Sequence, residues 1–297
     1  MRVFRRIGQF MSKYLRKDGE RITDLDGFHS MVPYIMPKRT EAEVSSNEFF
    51  DVTDLISFLK EENEQTGSNF KLFHAVCTAV ARTVYLRPKM NVFIAGRRFW
   101  QRKDITLSFV AKQKYEDTAE ETLMFLKVTP EMTLKEISSL ILGDVDKARK
   151  SGSNDLGKTM EFVGKLPRFL LEILFFVLRR LEYHGIMPSS LTAGDPNYST
   201  VLLSNLGSIK AGAPYHHLSN YGTCSIMITI GTLHPEHVIT SDGQDEIRQI
   251  LPMTFTIDER IADGFYFARS LKLTKYMLEH PNSLLERIDA PLPESIF

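Results

Sequence analysis

Cysteine is almost missing: Cys77 and Cys224 are the two in 297 residues. Two so widely spaced exclude a disulfide scaffold and a four-ligand zinc site, and point to a reducing, cytoplasmic setting. Long hydrophobic runs are also lacking. No apolar stretch reaches the roughly 20 residues that cross a bilayer, and no signal-peptide core with a small-residue cleavage site follows Met1. Nor is there an excess of charge of either sign, because 37 Lys and Arg balance 37 Asp and Glu. Nothing global therefore draws the chain onto nucleic acid, and such binding would need a local patch. Internal repeats and low-complexity tracts are absent. What remains is a 43% hydrophobic chain, enough for one large core.

Local charge is unevenly placed. The first 17 residues hold six basic side chains and no acid, with Val3, Phe4, Ile7, Phe10, Met11, Tyr14 and Leu15 at helical spacing. Three readings stay open for them: a helix packed on the body or on a neighbouring subunit, a membrane-surface helix, or a targeting peptide. The chain divides into an N-terminal basic amphipathic extension, 1–30, and a domain over 31–297 with a helical insertion at about 150–195.

Within the domain, the segment 32–44 reads as extended around its two prolines and helix-compatible after Pro37. Residues 48–63 alternate and then turn helical, with Asp51 and Asp54 as candidate caps. The spacing of Phe70, Phe73, Val76, Cys77, Val80 and Val84 predicts a buried helix ended by Pro88. Strand-like runs follow at 91–95, 105–111 and 122–128, as a hairpin or meander. A helix over 134–149 leads through SGSNDLG into LPRFLLEILFFVLRRLEYHGIMP. Its apolar core, Phe169 to Leu178, spans ten residues and contains Glu172, too short to span a membrane. With Lys165, Arg168, Arg179 and Arg180 around it, a lid, an oligomer contact and a membrane-surface helix are the competing readings. Runs at 201–203, 225–230 and 253–257 read as central strands, and 268–278 returns to helical spacing.

Two segments of this last third, VLLSNLGSI (201–209) and FTIDERIADGFYFARSLKLTKYMLEHP (255–281), flank NYGTCSIMITIG (220–231). Together they resemble the catalytic core of the 2-oxoacid dehydrogenase acyltransferases, within the chloramphenicol acetyltransferase-like superfamily. The resemblance extends more weakly over 32–128, where FHAVCTAVARTVYLRPKMN looks like the family's helix and following turn. It implies an α/β (α+β) fold, a two-layer sandwich with a mixed central β-sheet. It further implies acyl transfer between coenzyme A, or lipoamide, and a small acceptor. The coenzyme A thioester is then a co-substrate, no cofactor or metal is permanently bound, and the partners are acyl-coenzyme A and a small-molecule acceptor. The active site would lie between subunits of a homotrimer. Because the core begins near Val32, no lipoyl or subunit-binding segment is expected ahead of it. A non-catalytic homologue serving as oligomeric scaffold or acyl-coenzyme A binder is the alternative.

The family signature, a histidine, an arginine or second histidine, two variable residues, then Asp-Gly, falls on Glu259, Arg260, Asp263 and Gly264. Glu259 thus stands where the resemblance places the histidine base. Ser204, followed by Asn205, matches the serine that hydrogen-bonds the oxyanion. Asp263 matches a structural aspartate paired with an N-terminal arginine; Arg39 is the candidate partner, since KRTEAEV resembles the family's opening helix. Proton transfer from a thiol of pKa about 8.5 is about 2 units uphill to a histidine near 6.5 and about 4 to a glutamate near 4.3. The difference costs roughly 3 kcal/mol, or about a hundredfold in rate, part of which burial of a carboxylate recovers. A second source of imidazole is YHHLSNYG (215–222): one of His216 and His217 could serve as base, oriented by Glu259, or the pair could only fill polar space or contact a neighbour.

Other motifs read more simply. His74, inside an apolar helix, is expected to be a satisfied core histidine. The cluster GRRFWQRK (96–103) is expected to be a hairpin with a solvated face rather than a nucleic-acid surface, although such cations could also meet coenzyme A phosphates. Asn197 opens a glycosylation sequon that has no meaning without secretion.

Overall fold

A computed structural model of the chain describes residues 16–112, 121–151, 163–240, 242–293 and 296. In chain order these form β1 (Gly19–Arg21), α1 (Gly27–Ile35), β2 (Glu43–Asp51), α2 (Thr53–Thr66), α3 (Leu72–Leu86), β3 (Val92–Ala95), β4 (Arg98–Arg102), β5 (Ile105–Lys112) and β6 (Glu121–Val128). They continue with α4 (Leu134–Ser151), α5 (Arg168–His184), the single turn α6 (Ser189–Thr192), β7 (Val201–Asn205), β8 (Ile226–Ile230), β9 (His234–Ile239), β10 (Asp245–Asp258) and α7 (Gly264–Glu279).

The main sheet runs β2-β10-β8-β7-β5-β6, with β9 alongside the first half of β10. It is mixed: β7 is parallel to both β5 and β8, and every other pairing is antiparallel. Strands pair in register with their partners, so residues directly opposite share a face. One face carries Val201, Leu203, Ile226, Ile228, Ile230, Met253, Phe255 and Ile257, all buried. Helices α3 and α7 cover it. Of the 15 residues of α3, the 11 from His74 to Val84 are buried. The sandwich with a mixed central sheet is therefore the one expected. A second, antiparallel sheet, β1-β4-β3, lies beside it; its β1 comes from within the segment read as an extension.

Two local readings are corrected. The segment 32–44 is not extended first and helical afterwards. Helix α1 precedes Pro37, started by Asp26, whose carboxylate accepts the His29 N–H at 2.9 Å; Pro33 lies inside it. KRTEAEV is then a single 3-10 turn (Arg39–Glu41) running into β2, not an opening helix. The cause is tertiary: β2 pairs with nine consecutive residues of β10, and that ladder overrides the weak helix preference of the segment. The 96–103 cluster is the expected hairpin, but its face is not solvated throughout. Trp100 is buried, with Nε1 donating to the Ala95 carbonyl at 3.1 Å. His74 is the core histidine anticipated, its Nδ1 2.8 Å from Ser138 Oγ, and burial lowers its pKa to about 4.

Candidate functional site

The face of the main sheet turned away from α3 and α7 is polar. Ser204, Thr229, Thr254, Thr256, Asp258, Asn47, Ser45 and Glu43 share it with Leu202 and Met227, because strand alternation sends the intervening aliphatic residues into the core. In register, one row holds Ser204 (β7), Thr229 (β8), Thr254 (β10) and Asn47 (β2). Four residues along β10, Asp258 faces Glu43 of β2. Thr229 and Thr254 are buried, Ser204 is half-buried, and the Thr229 hydroxyl has no hydrogen-bond partner among the described residues.

Asp258, fully buried, organises the far end of this face. Its carboxylate accepts from Arg260 Nε at 2.7 Å and from the Arg260 terminal nitrogen at 2.6 Å, and lies 3.7 Å from Arg39 Nε. Arg260 also donates to the Met36 carbonyl at 2.7 Å. Arg39 donates to the carbonyls of Ser219 and Gly222. Burial pushes the Arg39 guanidinium below its ordinary value, and Asp258 partly offsets this. The expected Arg39–Asp263 pair is therefore corrected: Arg39 pairs with Asp258. Asp263 is exposed and caps α7, accepting the Tyr266 N–H at 2.8 Å, which holds its own pKa below the usual carboxylate range. Gly264 is the first residue of that helix.

Between the two buried anchors, Glu259 projects outward. Its N–H donates to the Ala42 carbonyl at 2.8 Å, while its side chain is exposed and makes no hydrogen bond or ion pair with the described residues. Arg260 turns inward to Asp258 and does not neutralise it.

Ser204 and Glu259 do not meet within one chain. Ser204 is level with Thr254, two strands away, and Glu259 lies five residues beyond Thr254, a separation of roughly 20 Å at standard strand spacings. The expectation of a common channel is thus corrected for the single chain: Ser204 lies on the polar face, and Glu259 follows the last residue of β10, beyond the end of that face.

The loop after β7 connects these ends. Tight passage of Gly207 against the Gly231 carbonyl, where a Cβ would sit 2.3 Å from the oxygen, starts it. The Ala211 carbonyl accepts from Thr232, the Pro214 carbonyl accepts the Thr254 hydroxyl at 2.8 Å, and the Leu218 N–H donates to Glu43 at 2.9 Å. His216 and His217 consequently ride over the stretch between Thr254 and Asp258, closer to Glu259 than Ser204 is. Both are exposed, and their ring nitrogens lie 3.3 and 3.2 Å from the carbonyls of His217 and Leu218. No hydrogen bond joins either to Glu259 among the described residues. Asn205 ends β7, half-buried, on the side opposite Ser204.

Sequence reasoning missed Thr229, Thr254, Asp258 and Glu43. The signal available was period-two polarity in SIMITI, PMTFTID and VSSNEFF, where hydroxyls and acids alternate with aliphatics. Beyond this face, a cavity of about 200 Å³ separates α5 from the β3–β4 turn; Arg39, Arg97, Arg179, Tyr198, Tyr221 and Arg260 are in its lining, which does not include Ser204 or Glu259. The described residues contain no cluster of His, Cys, Asp and Glu that could hold a metal, and both cysteines are buried and unpaired.

Comparison with known proteins agrees with this fold. Residues 186–286 match the model of the 2-oxoacid dehydrogenase acyltransferase catalytic domain. The lipoamide acyltransferase component of the branched-chain α-keto acid dehydrogenase complex of Bacillus subtilis is 25% identical over 236 residues; the match covers 77% of this chain and 45% of that protein's length. The cubic core of the pyruvate dehydrogenase multienzyme complex superposes with a TM-score of 0.59 at 15% identity, over 90% of this chain and 95% of that one. A chloramphenicol acetyltransferase superposes with a TM-score of 0.53 at 12% identity, over 90% and 100%.

Proposed function

We propose that this chain, which has the chloramphenicol acetyltransferase-like fold and carries the acyltransferase match across both Ser204 and Glu259, transfers an acyl group from a coenzyme A or lipoamide thioester at an interface between copies of itself. The observation that carries the reading is the separation of Ser204, on the polar sheet face, from exposed Glu259, just past the end of β10: the two are too far apart to act together within one chain. A second copy is required to bring a Ser204 end against a Glu259 end, and a cyclic, head-to-tail arrangement such as a trimer does so at every interface.

In such an interface Glu259 occupies the position of the base that takes the proton from the attacking thiol or hydroxyl. The buried Asp258–Arg260–Arg39 group holds its backbone still, which is what positioning a base requires. Ser204 donates its hydroxyl to the oxygen of the tetrahedral intermediate, with Thr229 behind it as a further hydroxyl in the same row. The acyl group moves from sulfur to the acceptor, and the free thiol leaves with the proton. A soluble coenzyme A thioester and a small acceptor are the substrates of this reading, and the setting expected from its cysteines is cytoplasmic.

The second reading, a non-catalytic scaffold or acyl-coenzyme A binder, is favoured by one observation: Glu259 faces solvent in the single chain. Incubating acetyl-coenzyme A with thiol and amine acceptors while measuring free coenzyme A separates the two. Turnover that falls in both Ser204→Ala and Glu259→Gln supports the enzyme. Binding without turnover, unchanged in both variants, supports the scaffold.

A further inference from the structure

The cavity between α5 and the β3–β4 turn has no part in the proposed acyl transfer, and its walls are built for charge. Gly96 and Arg97, the two central residues of that turn, both have a φ of 58°. Gly96 must be glycine, because it packs so closely on the Tyr183 carbonyl of α5 that a Cβ would sit 2.1 Å from the oxygen. The turn is thereby clamped to the helix. Arg97 meets no such crowding, and its left-handed backbone is one that glycine or asparagine adopts with less strain. An arginine is thus held at the edge of the cavity at the expense of local backbone preference, a pattern that functional positions share.

The charge lining the cavity is one-sided. Five cations, Lys38, Arg39, Arg97, Arg179 and Arg260, face one acid, Glu182. Glu182 is paired with Arg16 at 2.7 Å, and Lys38 with Glu41 at 3.1 Å. Asp258 is shared by Arg260 and Arg39 and neutralises one of them. Arg97 and Arg179 are exposed and make no ion pair or side-chain hydrogen bond with the described residues; Arg97 lies over the Tyr34 ring at 5.1 Å. Behind them the wall holds polar atoms with nothing to bond. Arg39 and Tyr198 are each 5% exposed. Arg39 Nε, 3.7 Å from Asp258, and Tyr198 Oη form no hydrogen bond with the described residues. Burial, and after it the nearby Glu182, raises the Tyr198 pKa, so its hydroxyl remains a donor. Buried polar groups without a protein partner are rare and mark places where a ligand or ion bonds.

From this we infer that the cavity binds a phosphate group carried by a small molecule. The pairings leave Arg97, Arg179 and one of Arg39 and Arg260 unneutralised, an excess that suits a dianion. Cations reach the space from three elements, the segment 37–39, the turn and α5. Donors so spread match the tetrahedral oxygens of phosphate better than the two coplanar oxygens of a carboxylate. A carboxylate side chain from a neighbouring copy would also bring a single charge, and fits the excess less well. At about 200 Å³ the cavity is smaller than the roughly 300–1,000 Å³ of sites for drug-sized ligands. It therefore takes a phosphate with a short organic body, or the phosphate end of a longer molecule such as coenzyme A. The inference is independent of whether Glu259 catalyses, since the lining includes neither Glu259 nor Ser204.

Calorimetric titration of the full chain with inorganic phosphate, at constant ionic strength, tests it. The heat should saturate at a single site per chain, and acetate at the same ionic strength should give none. Arg97→Gly should weaken binding about tenfold or more, as loss of a charge-assisted hydrogen bond predicts. Its melting temperature without phosphate should be nearly unchanged, because relief of the left-handed backbone offsets the freedom glycine gains on unfolding. Arg179→Gln should weaken binding similarly. Arg168→Gln, on the same helix but outside the cavity, should bind as wild type. Acetyl-coenzyme A separates the two sources of phosphate. Displacement of bound phosphate assigns the site to a coenzyme phosphate, and failure to displace it assigns the site to a free phosphate ester. No saturable binding of phosphate, equal binding of acetate, or unchanged affinity in both arginine variants overturns the proposal. A smaller assembly of these two variants by sedimentation velocity would assign the arginines to a neighbouring chain, and overturns it as well.

Discussion

The two ends of the polar sheet face are built on different principles. At the Glu259 end, charge is buried and tied: Asp258 accepts two hydrogen bonds from Arg260 and lies 3.7 Å from Arg39 Nε, and both arginines also donate to backbone carbonyls. At the Ser204 end there are hydroxyls without formal charge, and one of them, on Thr229, is buried with no partner among the described residues. The first end is a rigid mount that presents an exposed carboxylate. The second keeps unspent hydrogen-bonding capacity. The proposed acyl transfer therefore draws on both ends, from two copies.

Breaking the mount gives the largest expected effect. Asp258→Asn leaves Arg39 and Arg260 buried without a carboxylate and should cost about 3–5 kcal/mol in urea unfolding. A much smaller loss would mean that the charges at this end are not coupled as the distances indicate. Changing what the mount presents comes next: Glu259→His should raise coenzyme A release by roughly a hundredfold, from the closer match of imidazole to the thiol. An unchanged rate would remove residue 259 from the chemistry.

Acid sensitivity should be assigned to neither end. His74, whose pKa burial lowers from 6.5 to about 4, is neutral when folded and gains a proton more readily when unfolded. Stability attributable to it is intact above about pH 6.5 and is lost as pH falls toward 4, by about 2 kcal/mol at about pH 5. Melting curves across this range for wild type and His74→Gln check the sign; a wild type no more acid-sensitive than the variant would refute it. The smallest effect belongs to the loop between the ends. Thr254→Val removes the hydroxyl that holds the Pro214 carbonyl and should cost about 1 kcal/mol, with the loss seen in denaturant midpoint rather than slope.

Much of this was legible in the sequence where periodicity carries information. Helix α3 and strands β8 and β10 announce themselves by spacing, and the motif around 201–209 and 255–264 names the sheet they build. Segment 32–44 was misread because its conformation is set by pairing with β10, a partner 200 residues away in the chain. The exchange of Asp263 for Asp258 as the partner of Arg39 has a similar origin. Two aspartates five positions apart look equivalent in a string, yet Asp258 is the last residue of a strand facing the interior and Asp263 is the cap of the next helix. Proximity of Ser204 to Glu259 could not be read at all, because the register of β7 against β8 and β10 is set only in the folded sheet. For α5 the composition promised an apolar helix, as it did for α3; only the structure shows that one is enclosed and the other is not.

The most direct test of a site shared between copies is complementation. Ser204→Ala and Glu259→Gln, each inactive alone, are co-expressed with different tags, and mixed assemblies are isolated and assayed for coenzyme A release. If the two groups act from neighbouring chains, each mixed trimer holds one intact pair among its three interfaces, and about a third of wild-type activity returns. Mixed assemblies that form and remain inactive would contradict the account.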